Sequence, residues 1–481
     1  MLAIDAGTSG VTVLLIDHTT KVILKEYAEL QQYYPEPGWV EHDPEELLLK
    51  TKQLLTNILT QISPNDVAGI GITNQRETVV VWNKYTGKSI HPAIVWQCRR
   101  TAARCKELQV HTALIKQKTG LVLDAYFSAT KIEWLLQHTN EKKEDLLAGT
   151  IDSWLVWHLS LEHAHVTDTS NASRTMLYNI HTLSWDQDLL TLFHIPQIIL
   201  PEVKQSSEIY GNFLFHEVSI PLAGIAGDQQ AALFGQCCFS QGMSKNTYGT
   251  GCFIMLHTGQ QPVSSEKLLT TIAWTTNKKT IYALEGSIFI AGAAVQWLRD
   301  GLHLIRDAKE TAALAHSLSD NEHIYFVPAL SGLGCPYWDP DARGMLIGMT
   351  RGTTSAHIAR ATLEAIAYQT RDVLETMKQQ AQFPITCLRA DGGAAANDFL
   401  MQFQADILDI PVLVSSHKET TALGAAFLAG LAVGFWKSQE EIQSFSCDGV
   451  TYTPRIDSHT REKLYSQWKD AVQRCYSWNK S

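Results

Sequence analysis

Four polar clusters in this 481-residue sequence contain residue types that could do chemistry, and each follows an apolar run typical of a buried strand. In chain order they are Asp5-Ala6-Gly7-Thr8-Ser9-Gly10, Asn74-Gln75-Arg76-Glu77, Gly227-Asp228-Gln229-Gln230 and Asp391-Gly392-Gly393-Ala394-Ala395-Ala396-Asn397. Open α/β sheets bind ligands at the carboxyl ends of their strands. We therefore treat these clusters as candidate ligand-binding segments.

The first cluster is a turn between two short apolar strands, at residues 2–4 and 11–16. Its glycines and hydroxyls let the backbone bend sharply and leave N–H groups free to face a ligand. Asp5 beside such groups suits a polyphosphate with bound Mg²⁺, because the acid holds the water shell of the metal and the turn holds phosphate oxygens. The alternative is a plain hairpin in which Asp5 caps the turn.

A second turn of this kind, Tyr248-Gly249-Thr250-Gly251, follows about 240 residues later, before an apolar run at 252–256. Two similar openings at half-chain spacing predict two related lobes, each starting with a phosphate-facing hairpin. The length agrees, because a single core seldom grows beyond roughly 250–300 residues. We place the boundary near Gly242, which gives halves of residues 1–241 and 242–481.

Arg76 and Glu77 follow a predicted strand at residues 67–73. Arginine offers a rigid fork of donors and glutamate offers acceptors, so the pair could bind the hydroxyls of a polyol. The alternative is a structural ion pair.

Asp228 follows a predicted strand at residues 222–226. A carboxylate in this position could act as a general base on an alcohol. The alternative is an N-cap for the apolar helix that follows, and the two roles are compatible if the cap faces a cleft.

The fourth cluster follows a predicted strand at 385–390 and precedes a helix marked by Leu400, Phe403 and Ile407. Its small residues would let a flat ring or a phosphate approach the backbone, and Asn397 could contact the edge of a nucleotide. A tight strand-to-helix turn is the alternative. Among the tryptophans, Trp96 alone has charged neighbours that suggest a cleft wall.

Composition limits the possible functions. Lys and Arg total 39 and Asp and Glu total 49, so the net charge is −10, and an acidic chain has no general attraction to nucleic acid or anionic lipid. No apolar run reaches the roughly 20 residues of a membrane span. The nine cysteines and eighteen histidines show no metal-binding spacing. Sparse cysteines and the lack of a signal peptide predict a cytoplasmic protein, and the lack of a Walker-type run argues against a P-loop enzyme.

Longer segments resemble the glycerol kinases, a branch of the FGGY carbohydrate kinase family. They are Pro37-Gly38-Trp39-Val40-Glu41-His42-Asp43-Pro44, Gly71-Ile72-Thr73-Asn74-Gln75-Arg76-Glu77-Thr78, Ile94-Val95-Trp96-Gln97-Cys98-Arg99-Arg100 and Gly227-Asp228-Gln229-Gln230-Ala231-Ala232-Leu233-Phe234-Gly235. Residues 126–134 and 344–364 resemble the two family signatures. The resemblance runs from Ile4 to about Trp436 and implies an α/β fold of two duplicated lobes around a cleft, as in actin and hexokinase (ribonuclease H-like).

The resemblance also implies an activity, the ATP-dependent phosphorylation of glycerol, with Asp228 as general base and with Mg²⁺ held by Asp5 through water. Glycerol would be bound by Arg76, Glu77, Tyr126, Asp228 and Gln229, with Trp96 and Phe253 on its carbon face. ATP would be bound by Thr8, Ser9, Thr250, Gly292, Gln296, Gly393 and Asn397. A homodimer and a homotetramer both remain open.

The sequence departs from the glycerol kinase pattern in the first turn. Glycerol kinases usually carry Gln and Arg where this chain has Ala6 and Thr12, and that Arg helps to hold phosphate charge. Two alternatives therefore remain: another FGGY kinase, for example of a pentulose, or a catalytically weak relative that binds polyol and nucleotide. A Gly-rich basic loop, through which fructose 1,6-bisphosphate controls some family members, is also missing between Tyr210 and Ile220.

Overall fold

Two mixed β-sheets, one in each half of the chain, organise the protein. The computed structural model describes residues 1–446 and 448–478. The strands of the first half are β1 (Leu2–Ala6), β2 (Gly10–Ile16), β3 (Val22–Glu29), β4 (Glu41–His42), β5 (Ile70–Asn74), β6 (Val79–Asn83), β7 (Ala93–Ile94), β8 (Leu146–Thr150), β9 (Val166–Asp168), β10 (Tyr178–Asn179), β11 (Ser184–Trp185), β12 (Glu202–Lys204), β13 (Ser207–Phe215) and β14 (Val218–Gly227).

The second half continues the numbering. Its strands are β15 (Met243–Tyr248), β16 (Cys252–Gly259), β17 (Leu269–Thr276), β18 (Lys279–Ile288), β19 (Tyr325–Val327), β20 (Met345–Ile347), β21 (Cys387–Asp391), β22 (Val412–Ser415) and β23 (Gly449–Tyr452).

Helices cover the sheets. They are α1 (Pro44–Leu59), α2 (Ala102–Glu107), α3 (Thr112–Thr119), α4 (Ala129–Gln137), α5 (Ile151–Leu159), α6 (Thr169–Ala172), α7 (Gln187–Leu192), α8 (Asp228–Gly235), α9 (Gly292–Asp300), α10 (Glu310–His316), α11 (Ser355–Ala381), α12 (Asp398–Leu408), α13 (Thr420–Ala432), α14 (Gln439–Ser446) and α15 (Ser458–Cys475). Short 3₁₀ turns lie at Pro64–Asp66, Gln109–His111, Lys143–Asp145, Gln197–Ile199 and Gly393–Ala396. None of the described helices is long and apolar enough to cross a membrane.

The two large sheets repeat one pattern. The first has the order β13-β14-β5-β1-β2-β3 and the second β17-β18-β16-β15-β21-β22-β23. In β3-β2-β1-β5-β14 and in β18-β16-β15-β21-β22, two antiparallel pairings are followed by two parallel ones. The sheets therefore confirm the expected duplicated α/β lobes, each of which opens with a hairpin.

The predicted strands are present with small shifts at their ends. The strand expected at 67–73 is β5 and begins only at Ile70, because the N–H of Val67 donates to the carbonyl of Pro64 and closes a 3₁₀ turn. The strands expected at 222–226 and 385–390 are β14 and β21. The predicted helix after the fourth cluster is α12, which buries Leu400, Phe403 and Ile407.

Helix α13 belongs to the second half of the sequence but packs against the first sheet. A Cβ on Gly71 of β5 would lie 2.1 Å from the carbonyl oxygen of Ala425. A Cβ on Gly424 would lie 1.9 Å from the carbonyl oxygen of Ala231 in α8. Only glycine allows these backbone contacts, so α13 comes close to β5 and α8 at these two positions.

Candidate active site

The carboxyl ends of β1, β5 and β14 meet at one edge of the first sheet, because these three strands are parallel neighbours. Ala6 pairs with Asn74, and Asn74 pairs with Gly227. The polar segments that follow the three strands therefore lie side by side, and three of the four clusters expected from the sequence share one site.

Glu77 lies at the centre of a strained turn. Its φ is 62°, in the left-handed region that few residues other than glycine occupy, and the N–H of Thr78 donates to the carbonyl of Arg76 at 2.7 Å. This hydrogen bond spans two residues and defines a γ-turn, which is a strained conformation. The turn brings the adjacent side chains together, with 3.6 Å between Arg76 Nε and Glu77 Oε1.

Two arginines and two glutamates form a buried ion network around this turn. Arg76 donates to both carboxylate oxygens of Glu285, at 2.6 and 3.2 Å. Arg174 donates to Glu285 at 2.9 Å and to Glu77 at 2.7 Å. None of the four residues is more than 2% exposed. Two positive and two negative charges in direct contact offset the cost of removing them from water.

Glu285 links the halves of the chain, because it lies on β18 while Arg76 and Arg174 belong to the first half. Burial raises the pKa of Glu285, but Arg174 and Arg76 outweigh that effect and bring the pKa to about 2. The sequence analysis missed Glu285 and Arg174. The available signal for Glu285 was a single charged residue inside the apolar stretch 281–288.

Asp228 is the first residue of α8, and Gly227 is the N-cap, so the alternative in which Asp228 serves as the helix cap is wrong. Its Oδ1 accepts from the N–H of Gln229 at 2.7 Å and lies 3.2 Å from Arg76 Nε. Burial raises the pKa of Asp228, and the charge of Arg76 opposes this rise. The side chain keeps 31% of its surface exposed and can therefore reach a ligand.

Aromatic side chains form one wall beside this carboxylate. The rings of Trp96 and Tyr126 meet edge to face at 5.5 Å, and the Tyr126 hydroxyl lies 3.5 Å from Arg76 Nη2. Trp96 donates from Nε1 to the hydroxyl of Thr8 at 3.0 Å, so the wall also contacts the first turn. Phe253 pairs with Ser287 across β16 and β18, two positions from Glu285, which places it on the sheet face that carries Glu285.

Gln229 points toward the second half of the chain. Its Oε1 accepts a hydrogen bond from the ammonium group of Lys245, a residue of β15 that the sequence analysis did not single out. Lys245 also donates to Thr247 at 3.0 Å.

A cavity of about 470 Å³ lies in the second half, next to the second turn. Among its lining residues are Thr250, Gly292, Gln296, Gly393 and Asn397. The volume falls in the usual range for small-ligand pockets, roughly 300–1,000 Å³. The structure thus gathers all the second-half residues expected to bind a nucleotide around one space.

Two glycines in and near this cavity allow close backbone contacts. A Cβ on Gly292 would lie 2.5 Å from the carbonyl oxygen of Gly249, and Gly392 has a φ of 88° and contacts the backbone of Tyr248. Asn397, which the sequence analysis expects to contact a nucleotide edge, lines the cavity and also makes contacts within the protein. It caps α12 by accepting from the N–H of Leu400 at 3.0 Å, and its amide donates to Thr311 at 3.1 Å.

The two turns contain backbone donors that no acceptor among the described residues uses. Within the described part of the chain, the N–H groups of Thr8, Ser9 and Thr250 have no hydrogen-bond acceptor. Tyr27 stabilises the first turn, because its hydroxyl donates to the carbonyl of Ser9 at 3.2 Å. Free N–H groups in a tight turn form a suitable anion-binding surface.

Asp5 lies beneath the first turn, opposite Thr12 in the hairpin register. Burial, followed by the charges of Asp228 and Glu419, raises the pKa of Asp5 to about 7, and Lys25 opposes this rise. Lys25 is ion-paired with Glu419. Asp5 is thus an incompletely neutralised carboxylate, and a nearby cation would favour its ionised form.

Replacing Glu285 tests the ion network. Glu285→Gln should lower the free energy of unfolding by about 3–5 kcal/mol, because it removes the carboxylate that pairs with both Arg76 and Arg174 in the buried network. Denaturant unfolding measures this loss. The control is Glu107→Gln, since Glu107 is 66% exposed in its pair with Arg104 and should contribute less than about 1 kcal/mol. Equal effects of the two changes would contradict a structural role for the network.

Comparison with known proteins agrees with this geometry. Two family models match the chain: the N-terminal domain of the FGGY family of carbohydrate kinases at residues 1–235, and the C-terminal domain at residues 244–433. "Glycerol kinase 2" of Thermotoga maritima is 54% identical, over 100% of this chain and 99% of its own length. A glycerol kinase of Alkaliphilus oremlandii is also 54% identical, over 99% of this chain and 97% of its own length.

Solved structures show the same relationship. The glycerol kinase of Plasmodium falciparum with ADP superimposes with a TM-score of 0.95 at 37% identity, covering 98% of this chain and 97% of its own. The xylulose kinase of Lactobacillus acidophilus shares the fold, with a TM-score of 0.87 at 21% identity and coverage of 98% and 97%. Because the two family models and these relatives span nearly the whole sequence, the chain belongs to the FGGY family of carbohydrate kinases.

Proposed function

We propose that the protein phosphorylates glycerol to sn-glycerol 3-phosphate with ATP. The observation that carries the proposal is the convergence of Arg76, Glu77 and Asp228 at one sheet edge, together with a nucleotide-sized cavity in the second half. Relatives named glycerol kinases at 54% identity support glycerol as the substrate.

The site offers glycerol both polar and apolar contacts. Arg76, Glu77, Tyr126 and Gln229 bind its hydroxyls, and Trp96 and Phe253 pack against its carbon face. A three-carbon polyol is small, so discrimination has to come from hydroxyl pairing. A substrate without a hydroxyl opposite Arg76 or Glu77 would lose a hydrogen bond to a charged group, at a cost of roughly 1–3 kcal/mol.

Asp228 acts as the general base. Its carboxylate accepts the proton of the terminal hydroxyl while that oxygen forms a bond to the γ-phosphorus of ATP. The bond from the γ-phosphorus to the β–γ bridging oxygen breaks on the opposite side, and ADP leaves. Such a transfer needs in-line placement, charge neutralisation and exclusion of water rather than covalent help from the protein. The raised pKa of Asp228 makes its carboxylate a stronger proton acceptor.

ATP extends from the cavity to the two turns. The residues that hold it are Thr8, Ser9, Thr250, Gly292, Gln296, Gly393 and Asn397. Asp5 holds Mg²⁺ through water, and the ion supplies neutralisation of phosphate charge when bound. The chemistry of Asp5 fits this role, because no donor in the described residues hydrogen-bonds to its carboxylate.

We also propose a division of labour between the halves, with residues 1–241 as the polyol-binding domain and residues 242–481 as the nucleotide-binding domain. Two second-half elements support the first half in this scheme. Glu285 holds Arg76, one of the two charged residues that bind the polyol, in place. Helix α13 packs on the first sheet.

Release of ADP in the presence of candidate substrates tests the function. We expect turnover with glycerol that exceeds turnover with dihydroxyacetone, tetritols and pentuloses. Turnover on a pentulose but not on glycerol would assign the protein to another branch of the family. Tight binding of ATP and glycerol without transfer would instead indicate a binding protein, in which Thr12 cannot hold phosphate charge.

The role of Asp228 makes a second prediction. Asp228→Asn should retain the melting temperature of the parent protein and lower kcat by about 10²–10⁴-fold, the usual range for loss of a general base. Steady-state kinetics with glycerol measure the change. The matched control is Asp188→Asn, because Asp188 is 71% exposed and lies outside the site. Near-normal turnover of Asp228→Asn would exclude Asp228 from proton transfer.

The proposed role of Asp5 predicts that the affinity of the protein for Mg²⁺ depends on pH. The pKa of Asp5 is raised to about 7, so the carboxyl is mostly protonated at pH 6 and mostly ionised at pH 8. The Mg²⁺ concentration that half-saturates ADP binding should therefore fall roughly tenfold from pH 6 to pH 8, because the metal competes with the proton. Calorimetric titration of ADP at several Mg²⁺ concentrations measures this dependence.

Asp5→Asn serves as the control in the same titrations. It removes the titrating carboxyl, so any pH dependence that remains comes from protonation of the nucleotide. Identical pH profiles for the parent protein and Asp5→Asn would show that Asp5 does not hold the metal.

A further inference from the structure

Lys245 lies in the interior of the protein where the two halves meet. It occupies β15, which runs directly into the second turn at Gly249. Side chains alternate along a strand, so Lys245 and Thr247 share one face. Asn246 points the other way, toward Thr370 of α11 in its own half. The Lys245 ammonium crosses to the first half and donates to Gln229, the neighbour of Asp228.

The charge of Lys245 is buried without a direct ionic partner. The residue is 0% exposed, and no carboxylate of the described residues lies within ion-pair distance of Nζ. Its two hydrogen-bond acceptors, Gln229 Oε1 and Thr247 Oγ1, are neutral. An ammonium group has three donors, so one remains unused. Arg76 and Arg174, which are equally buried, each contact a carboxylate instead.

A buried unpaired cation is costly, which indicates that an anion completes the site. Burial lowers the pKa of Lys245, whereas Asp391 and Asp228 oppose this effect from a distance. Gln229 is next to the base Asp228, and Thr247 lies in the strand that leads into the second turn, so Lys245 is placed between the proposed polyol site and the proposed nucleotide site. In the proposed reaction, the anionic group that moves from the nucleotide to the polyol is the γ-phosphoryl group.

We propose that Lys245 donates its third N–H to an oxygen of the γ-phosphoryl group of ATP. This inference rests on the proposed function and adds a residue to it. Lys245 neutralises negative charge on the γ-phosphoryl group during its transfer, and its hydrogen bond keeps Gln229 in place beside Asp228. ADP lacks the γ-phosphoryl group, so its binding does not use Lys245.

The test is the ratio of two affinities. The dissociation constants of ADP and of a non-hydrolysable ATP analogue are measured by calorimetry with Mg²⁺ and glycerol present. In Lys245→Met, affinity for the analogue should fall about tenfold or more, which is the effect of losing one charge-assisted hydrogen bond, while affinity for ADP stays within about threefold. Lys245→Arg, which keeps the charge, should retain more of the analogue's affinity than Lys245→Met.

The matched control is Lys131→Met. Lys131 is also 0% exposed, but it donates to the backbone carbonyls of Tyr126 and Phe127 in the first half. This change should cost stability and leave the ratio of the two affinities unchanged. A ratio unchanged in Lys245→Met, or changed equally in Lys131→Met, would overturn the proposal and leave Lys245 as a structural residue. If Lys245→Met does not fold, Lys245→Gln provides the same comparison.

The test remains informative if the substrate assignment fails. Equilibrium binding of nucleotides requires no turnover, so an enzyme that ignores glycerol could still show the loss in Lys245→Met, with the polyol omitted. Conversely, normal glycerol phosphorylation with an unchanged ratio would reject the role of Lys245 and retain the proposed function.

Discussion

The structure depends on the buried network of Arg76, Glu77, Arg174 and Glu285. None of these charges could be buried alone, because the cost of removing one ion from water is several kcal/mol. The network therefore forms completely or not at all, and one of its members comes from the other half of the chain. For this reason the proposed polyol-binding pair, Arg76 and Glu77, is held in place only when the two halves are docked.

The network also explains how the side chains of two adjacent residues, Arg76 and Glu77, can lie on the same side of the chain. The side chains of adjacent residues in a strand point to opposite faces of the sheet. If β5 continued through Arg76 and Glu77, only one of the two side chains could face a ligand. The γ-turn at Glu77 brings them to one side at the cost of a strained backbone. Three charge-assisted hydrogen bonds join the turn residues Arg76 and Glu77 to Glu285 and Arg174 and stabilise this strained conformation.

Charge is distributed unevenly across the cleft. On the proposed polyol side both cations, Arg76 and Arg174, are in direct contact with carboxylates. On the nucleotide side Asp5 lacks a hydrogen-bond donor among the described residues and Lys245 lacks a carboxylate partner there. These two opposite charges suit a metal-bound polyphosphate, which brings both a cation and anionic oxygens. The site is thus electrostatically complete on one side and complementary to its proposed ligand on the other.

The sequence by itself determined the local features of the protein: the two hairpin turns, the strands that precede the polar clusters, and the placement of Arg76, Glu77 and Asp228 at strand ends. These features follow from apolar alternation and turn chemistry within a few adjacent residues. Only the tertiary structure decided that Arg174, Lys245 and Glu285 join the site and that α13 packs on the first sheet. Glu285 and Arg76 are 209 positions apart, and Arg174 and Glu77 are 97 apart. Contacts over such separations depend on how the sheets dock, and no local pattern encodes them.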